Sequence, residues 1–164
     1  MNTGVKTRTY LTMAAVSFML ALADPAAAAK LVPFHGSIHG VEIDVAHFPT
    51  LSVDGGGTGL ASHLGLFTVT WDLTVNLLDG SATGTFHFIA ANGDGISTEI
   101  VGQAAPTETP GVVHIVEINT ITGGTGRFAG ATGSFTLERL LDQATGVTSG
   151  SFSGTITSPG AAKH

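Results

Sequence analysis

The sequence predicts an all-β protein: an antiparallel up-and-down β-barrel of about eight strands, with a β-sandwich as the alternative. Three observations predict it. The 164-residue chain holds 23 Gly and few charged side chains, with Thr and Ser abundant, the mix of short strands joined by tight turns. Period-two alternation runs through residues 66–78, where Phe67, Val69, Trp71, Leu73, Val75 and Leu77 alternate with Thr68, Thr70, Asp72, Thr74 and Asn76. Glycine-rich turns recur, most clearly GGTGRFAGATGSF at 123–135, which runs into an alternating strand and is echoed by GSFSGTI at 150–156.

Residues 1–29 read as a cleaved signal peptide. Lys6 and Arg8 make a positive start, 10–22 is an apolar run, and Ala26 to Ala29 offer small residues for cleavage. The run is shorter than the roughly 20 apolar residues of a membrane span, and Asp24 and Pro25 follow it. With no Cys in the chain, there is no thiol for an N-terminal lipid anchor. The expected product is a single barrel domain, 30–164, secreted or periplasmic in a bacterium, with no membrane span. No disulfide can staple it, so burial and a closed hydrogen-bonded sheet must stabilise it.

From residue 30 onward four Lys and Arg face eleven Asp and Glu, a net charge of -7. That balance, with no basic stripe, argues against nucleic acid and anionic lipid as partners.

The elements follow in order. Residues 32–46 form one long bent strand or two short ones, with Gly36 and Gly40 as bulge points. Residues 49–62, mostly glycine between 54 and 59, read as a mobile rim loop. The strand at 66–78 turns at Asp79-Gly80 into a partner at 85–91 that carries Phe86 and Phe88. A turn at 92–95 leads to a strand at 96–103, then a proline-bearing loop at 104–110 and a strand at 111–121. Strands at 134–141 and 147–157 flank a turn at 142–146. Closure of such a sheet removes the edges along which Phe- and Val-rich strands would aggregate.

In the turn block, Gly124 and Gly126 permit a tight reversal. Phe128 is placed to plug one barrel end, and Gly130 and Gly133 allow close packing against it. Arg127 is the cation of this region and could pair with Glu117. A phosphate-cradling role is disfavoured, since no Lys-Ser/Thr follows and no strand-to-helix transition is predicted.

The histidines show no HxH or HExxH spacing, so no metal site is expected, and no cofactor motif occurs. His63 stands where the rim loop meets the longest strand. His114 shares a face with Val116 and Ile118 and is a candidate to point inward. Among the carboxylates Glu42, Asp44, Glu99 and Glu117, the last is the leading acid-base candidate, because a carboxyl in an apolar barrel acquires a raised pKa. The strand at 111–121 is apolar on both faces, so Glu117 fits either an inward site or an outward face.

GTGRFAGATGSF and GVTSGSFSGTI, with SHLGLFTVTW and TGTFHFIAANGD, resemble a group of small exported bacterial proteins of uncharacterised function. More distantly, GTGRFAGATG is similar to the corresponding turn of allene oxide cyclase-like and dirigent-like barrels. The resemblance implies an eight-stranded antiparallel barrel with an apolar interior, and it transfers no catalytic position.

Three function classes remain open: a barrel binding a small apolar molecule, with Phe67, Trp71, Phe86, Phe88 and Phe135 as candidate lining; a cofactor-free isomerase or cyclase; and a structural or interaction protein. The absence of a convergent catalytic set ranks binding or structure above catalysis. Oligomeric state is not encoded in any motif found.

Overall fold

The computed structural model describes residues 30–160; the signal-peptide reading of 1–29 lies outside the described residues. Eight strands follow one another: β1 (Leu31–His47), β2 (Thr50–Ala61), β3 (Gly65–Asn76), β4 (Ser81–Ala90), β5 (Gly95–Pro106), β6 (Val112–Gly124), β7 (Gly133–Asp142) and β8 (Val147–Thr157). Each pairs antiparallel with its sequence neighbours, and β8 returns to β1, so the sheet closes into an up-and-down barrel. The predicted class holds, and the sandwich alternative falls.

Alternation sets what lies inside. Phe67, Val69, Trp71 and Leu73 of β3 point inward, as do Phe86 and Phe88 of β4. With Phe34, Phe135, Phe152 and Ile156 they fill one half of the barrel, as side chains do in barrels of this size. Phe135 and Phe152 have ring centroids 4.8 Å apart, and Phe34 meets Phe135 edge-on at 5.3 Å. Such pairing adds to the area term that dominates the core.

The rim-loop expectation for 49–62 is overturned. Residues 50–61 are strand β2, paired without a break to both β1 and β3. Its inward positions are Val53, Gly55, Gly57, Gly59 and Ala61, and the glycines are there because neighbours fill the space. A Cβ on Gly55 would fall inside the Trp71 indole, one on Gly59 would strike Phe67, and one on Gly57 the β1 backbone at His39. Glycine in this strand marks close approach, not mobility.

Gly36 and Gly40 are likewise not bulge points. The β1 registers run unbroken through both, and the two glycines make room for Phe152 and Trp71. The register shift lies instead between Ser97 and Thr98 on the β5–β6 ladder. Strand β5 also extends through Pro106, into the predicted proline loop.

The two barrel ends differ. At one, the 3-10 turn Gly126–Phe128 lays Phe128 across the opening with 1% of its surface exposed, beside Leu64 and Ala131. Gly126 has φ +57° and Gly130 φ +70°, which only glycine adopts freely. The plug expected of Phe128 is in place. Arg127 does not reach Glu117: it lies 3.7 Å from Asp94, donates to the Leu64 carbonyl at 3.4 Å and covers the Phe128 ring. The far side of the barrel, where β1–β2, β3–β4, β5–β6 and β7–β8 turn, is open.

Candidate functional site

The open end leads into a cavity of about 170 Å³. Its walls are aliphatic, with Leu51 and Val53 from β2, Leu73 and Val75 from β3, and Val113 and Ile115 from β6; at its floor lie Glu42, Glu117 and Arg139. These three come from β1, β6 and β7, each at an inward position of its strand. Glu42 shares parity with Phe34 and Ile38, Glu117 with Ile115 and Ile121, and Arg139 with Phe135 and Leu137. The period that builds the core therefore also places three charges inside it.

Burial is nearly complete: Glu42 is 7% exposed, Arg139 3% and Glu117 0%. The guanidinium donates to both oxygens of Glu117, Nε to Oε2 at 3.0 Å and Nη2 to Oε1 at 2.9 Å. Its Nη1 donates to Glu42 Oε2 at 2.7 Å and to Thr148 Oγ1 at 3.1 Å, and Thr148 passes its own proton to the Leu140 carbonyl. Desolvation works to lower the Arg139 pKa, but the hydrogen bonds and charge of Glu117, joined by Glu42, override it and hold it above the ordinary value.

Glu42 is served differently on its two oxygens. Oε2 accepts from Arg139 and also from Trp71 Nε1 at 3.2 Å, a reach made possible because the indole crosses β2 at Gly55 and rests against Gly40. Oε1 accepts no hydrogen bond from the protein among the described residues, and its residue lines the cavity. Burial raises the Glu42 pKa above the ordinary carboxylate value, with Arg139 pulling the other way. Asp44, two residues on and exposed toward the mouth, is also raised by burial, against the pull of Arg139.

Glu117, the carboxylate singled out in the sequence, therefore points inward, but its partner is Arg139 and it serves as one arm of an ion triad. His114 faces outward, on the side opposite Glu117; its side chain is 44% exposed and its Nε2 lies 3.8 Å from Glu138. His63 sits at the β2–β3 turn with φ +66° and contacts the Pro33 carbonyl. Phe67, Trp71, Phe86, Phe88 and Phe135 are inside but pack on one another toward the plugged end, and none of them lines the cavity. Among the described residues no group of three or more His, Asp or Glu is placed to hold a metal ion, and no helix is long and apolar enough to cross a membrane.

Arg139 is the site residue that the sequence motifs do not mark, and Glu42 stands among the candidate carboxylates only behind Glu117. Their parity with inward Phe and Leu neighbours was the available signal, since a charge on the buried face of a strand requires a partner on another. The fold and site together define a class, a closed antiparallel barrel with one plugged end, one open end and a buried ion triad at the base of an apolar cavity. Comparison with family models, curated proteins and solved structures finds no match for the chain.

Proposed function

We propose that this protein is a small-molecule-binding barrel whose ligand enters the open end and seats an apolar body against Leu51, Val53, Leu73, Val75 and Ile115. The observation that carries this reading is the division of the interior: aromatic side chains fill one half, while the other half holds the 170 Å³ cavity over the charged floor of Glu42, Glu117 and Arg139. An apolar cavity of about 150 Å³ takes up benzene, so the ligand body has on the order of ten non-hydrogen atoms or fewer. The signal-like leader supports placing the barrel outside the cytoplasm, which N-terminal sequencing of the protein recovered from cell fractions tests.

The binding experiment is titration with toluene, followed by protein NMR and thermal unfolding. Saturable shifts at Val53, Leu73 and Ile115 and a raised midpoint are expected. The Ala82→Leu variant, which fills the cavity from β4, should keep the fold and lose the response. Absence of any response in the parent protein, to toluene and to polar-substituted benzenes of the same size alike, overturns the reading.

A second reading, a cofactor-free isomerase or cyclase of allene oxide cyclase-like type, draws support from the Glu42 carboxyl facing the cavity with an elevated pKa. Its test is exchange of the α-protons of cyclohexanone in deuterated buffer. Exchange at the buffer rate, unchanged by the protein, removes it.

A further inference from the structure

Two carboxylates meet one guanidinium at the cavity floor, and the geometry satisfies the three groups unequally. Glu117 has both oxygens engaged by Arg139, and Arg139 spends four N–H bonds on Glu117, Glu42 and Thr148. What is left over is one carboxylate oxygen, Glu42 Oε1, on a side chain 2% exposed, without a donor from the protein and at the wall of the cavity. With all three groups ionised the triad carries a net charge of -1, and Asp44 adds a third carboxylate nearer the mouth. No Lys or Arg other than Arg139 lines the cavity.

We infer that the ligand carries a cationic hydrogen-bond donor, a primary ammonium on a small apolar body, which docks on Glu42 Oε1 and supplies the positive charge that the triad lacks. The inference rests on the binding role proposed above and names the chemical class that role selects. The arrangement follows from what buried charges require: an uncompensated carboxylate in an apolar site is costly, and a donor that arrives with the ligand removes that cost. An anionic ligand would face Glu42 and Asp44 with one guanidinium already engaged. A wholly apolar ligand would displace water from Oε1 and give it nothing in return.

The volume suits this chemistry. Benzylammonium adds two non-hydrogen atoms to a benzene ring, and a cavity slightly larger than one that takes up benzene can seat the ring among the aliphatic walls with the ammonium at the floor.

Titration of the unmodified protein with benzylammonium, toluene and benzoate at neutral pH and constant ionic strength tests it without a variant. Benzylammonium is expected to bind at least about tenfold tighter than toluene, since a charge-assisted hydrogen bond in a desolvated site separates them. Benzoate is expected to show no binding at the same concentrations. Equal affinity for benzylammonium and toluene overturns the ammonium inference and leaves the binding role standing. No binding of either overturns both. A preference for benzoate assigns the floor to Arg139 and overturns the inference outright. The Glu42→Gln variant supplies a second readout: with both ligands measured on that variant, the advantage of benzylammonium over toluene should fall to within about threefold. Retention of the full advantage in that variant removes Glu42 as the docking group, and a variant that does not fold leaves the parent comparison decisive.

Discussion

Arg139 and Glu117 lie diagonally across the β6–β7 ladder and hold each other in a two-pronged ion pair at 2.9 and 3.0 Å. A pair this buried is sensitive to the loss of one member, because the survivor keeps its desolvation cost and loses its compensation. Arg139→Met should lower unfolding stability by about 3–5 kcal/mol, measured by urea denaturation at neutral pH. A triple replacement of Glu42, Glu117 and Arg139 by Leu, Leu and Met should recover most of that loss, since no charge is then stranded. Equal losses in the single and triple variants would show that packing volume, not charge, governs the site.

Gly55 and Trp71 make a second dependency. Gly55→Ala puts a methyl group where the indole lies, so the ring must move off Glu42. A stability loss of about 1–3 kcal/mol is expected from overpacking, with a changed Trp71 fluorescence maximum, Trp71 being the single tryptophan of the chain. Gly56→Ala is the control: it neighbours Gly55 on the outer face, its Cβ would sit at ordinary contact distance, and it should stay near the parent in both readouts.

Proton linkage at Glu42 has a definite sign. Its folded pKa stands above the ordinary 4.5, so its contribution favours folding at low pH and is lost as pH rises through the folded value. Asp44 contributes in the same direction. Stability of Glu42→Gln relative to the parent should therefore increase as pH is raised from about 4 to about 7. A difference that stays flat over that interval contradicts the raised value.

Phe128 closes one end with 1% exposure, so Phe128→Ala should cost about 3–5 kcal/mol, whereas Arg127→Ala, which loses only a half-exposed cation, should cost about 1 kcal/mol or less. Comparable losses would move the closing role from the ring to the guanidinium.

Much of this barrel was legible in residue order. The alternation at 66–78 places Phe67, Val69, Trp71 and Leu73 inside as the structure does, and the turns at Gly80, Gly93 and Gly146 coincide with positive φ. Strand β2 was illegible because alternation is read from side chains. Gly55, Gly57 and Gly59 have none, for the reason that side chains of the next strand and the backbone of the preceding one occupy their space. Strand β6 hid its facing because Val113 and Ile115 on one face are matched by Val112, Val116 and Ile118 on the other. The ion triad needed a relation among three strands separated by up to 97 residues, which no local window contains.

The first residue of β1 and the last of β8 are ladder partners, and Ser158 N–H binds the Lys30 carbonyl at 2.8 Å, so both ends of the barrel's chain path emerge on the plugged side. Attachment through either end therefore turns the cavity mouth away from the point of attachment. Immobilising the protein on a sensor surface, or fusing a reporter at residue 30 or 160, leaves the entrance facing solution, and joining the two ends permits a circular permutant opened at a mouth-side hairpin, whose altered uptake would report directly on that rim.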